Sequence, residues 1–540
     1  MRESGEAGMS AHSGVTRRAF FKRAAAGAGA ATFAGAGRLL GPSWVASAAT
    51  RSVPLPSPER VLASFKRMVR FGPRLTASEA HNHYVNWLEE QFIKAGLQTL
   101  PRDNYVTDRW LVGKSALSIL EGPAPGPVKV GTYYPRSQAT TAGGVEGPLV
   151  YGGAAPAPSI NPGDLSSLDA AVERYPADVA SWASAVGGTL GGAKGSILLV
   201  DLPLPVPLTA GAFLPIATYL SWPGHTLADW TTGDYKRLWI EPGLGVPLAP
   251  FQELGAAGVV FILDASYEAL AGGYLPFTHG FEPLPALYVD RDTGRALRTQ
   301  AASRPKSRLT LTATVAPAPT QAVTAVLPGA SEETIIFNTH TDGQGFVEEN
   351  AGVAFVHLAR YFASLPLAKR LQRTLVFAAW PGHMVADLPQ TKGWIEAHPD
   401  LVARAAAALT IEHLGCTEWI DTAEGYKATG EPETFGIWTT QGKMFDVTRE
   451  AVVAHELPRT ALLRPPVQFG VGAAFQEAGV PQIGAIAGPE YLLTVSRTGD
   501  IDKLDSTLAA RQIAWAADLA TRLDKIPAAE LREGDPTLGH

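Results

Sequence analysis

Cysteine is nearly missing from this chain. A single one, Cys416, among 540 residues excludes internal disulfides, cysteine-rich zinc sites and iron–sulfur clusters. Beyond the N-terminus there is no run of about 18 or more strongly apolar residues of the kind that spans a bilayer. Basic clusters stop after Arg38, and a net charge of -6, from 45 Lys+Arg against 51 Asp+Glu, offers no electrostatic footprint for nucleic acid. No Gly-x-Ser-x-Gly elbow occurs, which argues against an ordinary serine hydrolase. His-Glu-x-x-His is also absent, because His455-Glu456 runs into Leu457-Pro458-Arg459 and loses both helix and ligand spacing. What remains is globular composition: 46% hydrophobic and 18% charged residues with 55 Gly and 42 Pro, a soluble chain of two-to-three-domain size.

The N-terminus reads as an address. Thr16-Arg17-Arg18-Ala19-Phe20-Phe21-Lys22 precedes an Ala/Gly-rich, weakly hydrophobic stretch from Ala24 to Ala36, and Ala46-Ser47-Ala48 offers small residues for cleavage. This resembles a twin-arginine export signal, predicting a periplasmic or extracellular protein exported already folded.

Beyond it, Pro58-Glu59-Arg60 and Ser78-Glu79-Ala80 open two helices, the second keeping Tyr84, Val85, Leu88 and Phe92 at helical spacing until Gly96. From about residue 115 to 325, β-branched runs (Ser196–Val200, Gly258–Leu263, Leu309–Val315) alternate with Pro/Gly turns, as in a β-rich domain. From 326 onward strand and helix alternate: strands at Glu333–Asn338, Arg373–Trp380, Ala406–Ile411 and Pro481–Ile486, and a helix from Gly352 to Leu365. The texture is α/β.

In open α/β sheets ligands lie beyond the carboxyl ends of the strands. Reading each strand to its end collects His340 and Asp342, then His383, then Glu412 and His413, with Glu348-Glu349 ahead of the helix. Imidazole and carboxylate together suit zinc or a similar divalent ion, which polarises carbonyls and ionises water.

His340-Thr341-Asp342, Glu348-Glu349-Asn350-Ala351-Gly352-Val353, Thr374 to Gly382, and Ile411-Glu412-His413-Leu414-Gly415 resemble, in order and spacing, the co-catalytic zinc aminopeptidase and carboxypeptidase family. That family includes glutamate carboxypeptidase and transferrin receptor-like relatives. Gly192–Asp201 and Leu254–Phe261 resemble its inserted protease-associated domain. The resemblance implies a mixed-sheet, helix-flanked peptidase-like α/β domain carrying a β-rich insert. The expected division is a signal at 1–48, an N-terminal helical part at 49–115, the insert at 116–325, the main domain at 326–525 and a tail at 526–540.

Family peptidases use a His, a bridging Asp, a Glu base followed by a Glu ligand, a further Asp and a late His. Here His340 matches the first, with Asp342 in the orienting position. The bridging acid falls on Glu348 if Gly352 is held in register, or on Glu349 if the acid-Asn pair is, the latter being preferred. The paired glutamates are replaced by His383-Met384, Glu412 matches the later Asp, and the late His is replaced within Ser496-Arg497-Thr498. The expected metal set is therefore His340, Glu349, His383 and Glu412, with Asp342, Glu348 and His413 as supporting or alternative ligands. One ion is expected rather than two. Arg497 is a fixed positive fork for a substrate carboxylate or developing oxyanion, or else a partner of Asp500 or Asp502.

Three readings follow. The preferred one is a metal-dependent hydrolase of amide or related acyl bonds with a rewired site, acting on a small-molecule or peptide-like substrate, with His383 and Arg497 as catalytic groups. The others are a non-catalytic binding relative, and a single-metal acyl transferase of glutaminyl cyclase type. Replacement of lost ligands by coordinating residues favours the first. Met384 and Arg497 argue against it. Further expectations are that Cys416 is a small buried thiol and that His357, Arg360 and Tyr361 face solvent. Trp222-Pro223-Gly224-His225 repeats Trp380-Pro381-Gly382-His383, and Trp222, Trp230, Tyr235 and Trp239 are candidates for a substrate wall.

Overall fold

The structure is a computed structural model that describes residues 53–157, 166–189, 193–203, 214, 216–231, 237, 245–277, 279–463 and 470–534. The signal segment, Tyr235 and Trp239 lie outside them. Two helices open the chain, α1 (Pro58–Val69) and α2 (Glu79–Lys94). The second starts at Ser78 because that side chain accepts the His81 N–H, capping a free amide.

Nine strands, numbered in chain order, form the main sheet: β1 (Gln98–Thr99), β2 (Ala217–Ser221), β3 (Val323–Leu327), β4 (Ser331–His340), β5 (Arg373–Trp380), β6 (Ala405–Ile411), β7 (Phe435–Thr439), β8 (Thr460–Leu463) and β9 (Gln482–Ala487). Their spatial order is β1-β3-β5-β4-β6-β9-β7-β8-β2. The central four, β5-β4-β6-β9, are parallel, so their carboxyl ends share one rim. These strands are buried on both faces and read accordingly as nearly continuous apolar runs.

Period-two alternation splits the core. Ile335 and Phe337 of β4 pack toward α1, α2, α3 (Asn350–Ser364) and α4 (Ser506–Leu523), whereas Ile336 joins Trp380, Trp394 and Phe475 on the other face. Phe337 stacks on Phe377 of the neighbouring strand with ring centres 5.1 Å apart. Helix α3 lies so deep that every residue from Asn350 to Ala359 is buried.

A second, eight-stranded sheet is built from segments between Asn104 and Gln321. Its strand Lys306–Gln321 extends well past Leu309–Val315 because it pairs antiparallel with Asn104–Ile119 along its length. The chain between its strands also supplies β2, which pairs with β8 at the edge of the main sheet. Residues Ala528–Arg532 form a short helix with Leu531 buried.

Two surface expectations are corrected. Trp222 and Trp230 pack with Trp438, Ala461 and Leu463 at the β2 edge, four strands from β6, and Trp222 stacks on its own His225 at 4.0 Å. They do not line the rim. His357 does not face solvent either: it is 9% exposed, beneath α1, and its Nε2–H donates to Ser64 Oγ at 3.0 Å, since the Ser64 hydroxyl proton is given to the Arg60 carbonyl.

Burial, reinforced by Arg360 and Arg60, lowers the His357 pKa from 6.5 to about 4. The unfolded chain then binds more protons across that window, so the ring's contribution is complete above about pH 6.5 and is lost as pH falls toward 4. In urea unfolding, wild type compared with His357→Gln should lose up to roughly 3 kcal/mol over this range. A difference independent of pH would refute the assignment.

Candidate metal centre

Three loops leave the rim at the ends of β4, β5 and β6, the first running directly into α3. His340, the last residue of β4, is fully buried, and its Nδ1 lies 2.8 Å from the Asp342 carbonyl. A carbonyl only accepts, so Nδ1 carries the proton and Nε2 presents a bare lone pair. His413 repeats the arrangement from β6, with Nδ1–H donating to the Ala487 carbonyl at 2.6 Å. Burial also lowers its pKa, which keeps the ring neutral and fit to coordinate.

The acids complete the cluster. Glu348 Oε2 is 3.9 Å from His340 Nε2, 3.8 Å from His413 Nε2 and 3.3 Å from His383 Nε2. Glu412 Oε2 is 3.4 Å from His340 Nε2, while Oε1 accepts the Val471 N–H at 3.0 Å. That amide approaches so closely because Gly470, at φ +77°, carries no β-carbon to collide with the carboxylate. Donors bound at about 2.0–2.1 Å to one tetrahedral ion stand about 3.3 Å apart. The 3.3 and 3.4 Å separations match that spacing, and the 3.8 and 3.9 Å ones lie about half an ångström beyond it.

Unsatisfied atoms point the same way. Among the described residues, His340 Nε2, His413 Nε2, both Glu348 oxygens and Glu412 Oε2 are buried without hydrogen-bond partners, a condition that costs free energy unless a group from outside the chain satisfies them. Burial pushes Glu348 up to about 7, with Glu412 and Asp342 adding to the rise. At Glu412 burial acts in the same sense, but the neighbouring His340, 3.4 Å away, with His413 and His383, carries it below the ordinary value. Two carboxylates facing neutral imidazoles make a donor set suited to a divalent ion of the zinc type. Possible three-donor groupings are His340, Glu348 and His383, or His340, Glu412 and His413, which share His340.

The preferred register at the paired acids is corrected. Glu349 turns away and forms a fully buried ion pair with Arg74, whose guanidinium also donates to the Met68, Gly72 and Gly345 carbonyls. Glu348 is the acid in the cluster. Asp342 is likewise not the group that orients His340: its main-chain carbonyl does so, while its Oδ1 stands 3.9 Å from Nδ1. The carboxylate instead accepts the N–H groups of Gly382, His383 and Met384 at 3.1, 3.3 and 3.1 Å and the Thr76 hydroxyl at 2.5 Å. It fixes the loop bearing His383.

Other groups carry little in the sequence to reveal them. Asn350 clamps the loop after His413 from both sides, donating to the Leu414 carbonyl at 2.8 Å and accepting its N–H at 2.9 Å. That clamp helps hold His413 at φ +57°, a conformation costing roughly 1 kcal/mol or more in a non-glycine residue. Phe277, from the second-sheet segment, lies 5.2 Å from the His383 ring. Met384 is buried, with its sulfur 3.7 Å from Gln344 Nε2. Cys416 is a buried thiol whose pKa burial raises strongly, donating to the His413 carbonyl. Arg497 is exposed on the loop whose Gly499 carbonyl accepts the Phe346 N–H. Among the described residues it has no ion pair, and Asp500 pairs with Lys503.

No family model and no curated protein sequence matches the chain. Solved structures do. A peptidase M28 precursor from Shewanella amazonensis is 18% identical, with a TM-score of 0.58 over 87% of this chain and 93% of that one. The aminopeptidase from Aneurinibacillus sp. strain AM-1 is 14% identical, with a TM-score of 0.55 over 87% and 94%. The zinc aminopeptidase BSAP from Bacillus subtilis is also 14% identical, with a TM-score of 0.55 over 88% and 98%. The fold is that of the zinc aminopeptidases.

Substitution separates the two glutamates. Glu348→Gln should release most bound metal, as should His340→Ala, Glu412→Gln and His413→Ala. Glu349→Gln should retain it yet destabilise the protein by about 3–5 kcal/mol, because Arg74 is left buried without its partner. Metal content by mass spectrometry and denaturant midpoints read the two effects separately, and loss of metal from Glu349→Gln alone would reverse the assignment.

Proposed function

We propose that the chain is a single-metal hydrolase of amide or related acyl bonds, acting on a peptide-like or small-molecule substrate. The observation that carries this is that buried donors without hydrogen-bond partners gather around His340 Nε2, with Glu412 and His413 forming one three-donor grouping with it and Glu348 3.9 Å away on the other side of the cluster. A divalent metal held there would polarise an acyl oxygen and make water more acidic. The shared fold of zinc aminopeptidases supports the class of reaction.

His383 serves as the base. Its side chain is 15% exposed, whereas those of His340, Glu348 and Glu412 are wholly buried, so it is the group in the cluster that water reaches. When its ring accepts a proton, Glu348 Oε2 at 3.3 Å stabilises the imidazolium. Asp342 keeps that ring in place through the backbone of residues 382–384. The segment Thr16–Lys22 supports export by the twin-arginine route.

Purified protein should contain about one zinc per chain, and chelation should abolish hydrolysis of the best substrate in an amide panel. His383→Ala should lower kcat by about 10²–10⁴-fold in the fraction of protein that holds metal. Absence of metal, or full activity in His383→Ala, would defeat the proposal. Near-complete burial of His340, Glu348, Glu412 and His413 also resembles the closed character of a structural zinc site, which favours a non-catalytic binding relative as the second reading. Stoichiometric metal with no turnover would establish that alternative.

Arg497 is the group proposed to meet a substrate carboxylate, supported by its exposure and lack of an ion pair. Arg497→Ala should raise KM about tenfold or more for carboxylate-bearing substrates while leaving uncharged analogues unaffected. Equal effects on both classes would remove Arg497 from substrate binding.

A further inference from the structure

Helices α1, α2 and α3 border two adjoining surface pockets of about 340 and 250 Å³ that share Ala63, Ser64 and Arg360 in their walls, the smaller also lined by Val53, Pro54 and Pro56 ahead of α1. Each helix contributes one face at helical spacing: Arg60, Ser64 and Arg67 from α1, Trp87, Gln91 and Lys94 from α2, and His357 and Arg360 from α3. No carboxylate lines either pocket. The nearest acids on these helices are otherwise occupied, Glu90 with Lys94 at 3.2 Å, Glu89 with Arg102, and Glu59 with Ser57.

Among the described residues, Arg60, Arg67 and Arg360 form no ion pair. Arg360 donates to the neutral Gln91 Oε1 at 2.6 Å, and Arg67 lies over the Trp87 ring at 5.5 Å. Arg60 has no side-chain partner among the described residues, and its charge disfavours protonation of both Arg360 and His357. Like charges collected around a space of small-molecule size, with one aromatic wall, call for an anion that accepts from several guanidinium N–H groups together.

From this we infer that the adjoining pockets between α1, α2 and α3 bind a phosphate-bearing small molecule, its phosphate group between Arg60 and Arg360 in the smaller pocket and its organic part extending past Arg360 toward Arg67 and Trp87 in the larger. The site is separate from the metal centre, which lies at the opposite, N-terminal end of α3. The phosphate group could belong to a soluble ester or to a lipid headgroup, and the chemistry of recognition is the same for both.

Calorimetric titration of the full chain with glycerol phosphate and with inorganic pyrophosphate tests the soluble source. Sedimentation with phosphatidylglycerol vesicles, against phosphatidylcholine vesicles, tests the headgroup. Arg60→Gln and Arg60→Gln/Arg360→Gln should weaken whichever ligand binds by about tenfold or more, while Arg449→Gln on a distant helix should not. Arg60 is exposed, so its single variant remains informative if the double variant unfolds. Failure of every phosphate probe to bind, or binding unchanged by Arg60→Gln and the double variant, would overturn the inference. The latter result would place the phosphate elsewhere, including at the metal centre.

Discussion

The site is organised around a charge that the protein leaves uncompensated. Glu348 and Glu412 bring two carboxylates into a fully buried space, and among the described residues neither forms an ion pair with a lysine or arginine. Arg74, the arginine close at hand, is committed to Glu349. Burying ionised carboxylates without a partner is prohibitively costly, so either a proton or a divalent cation must enter. Burial, by pushing Glu348 up to about 7, favours the first, and the imidazoles of His340 and His413 create the conditions for the second.

The remaining architecture holds those imidazoles in place. Parallel strands bring His340, the His383 loop and Glu412 to one rim, and backbone carbonyls at Asp342 and Ala487 fix the two histidine tautomers. Asp342 and Asn350 then tie down the loops through backbone amides and carbonyls, so neither carboxylate nor amide needs to touch the ion to define the site. The left-handed backbone at His413 persists because these bonds over-determine it.

The second-sheet segment is joined to this rim by more than its connections in the chain. Gly273 bridges to Thr494, Tyr274 N–H donates to the Leu493 carbonyl, and Arg136 pairs with Asp387. These contacts place Phe277 beside His383. The exposed side of the centre thus has an aromatic neighbour supplied by a different sheet, which shapes the approach to the one cluster side chain open to water.

Local sequence determined much of this protein. Apolar runs at Arg373–Trp380 and Gly258–Leu263 are strands because β-branched and small apolar residues suit sheets buried on both faces, and Ser78 starts a helix through its own side chain. The strand-end positions of His340, His383, Glu412 and His413 were legible for the same reason. Which acid enters the centre was not, since Glu348 and Glu349 are chemically alike and adjacent, and the choice is made by Arg74, 275 positions away by numbering at Glu349. The burial of His357 and the placement of Trp222 away from the rim were equally hidden, because both depend on an element distant in sequence, α1 in one case and β8 in the other. Sequence spacing sets which way a residue points from its own strand or helix; tertiary packing alone decides what it then meets.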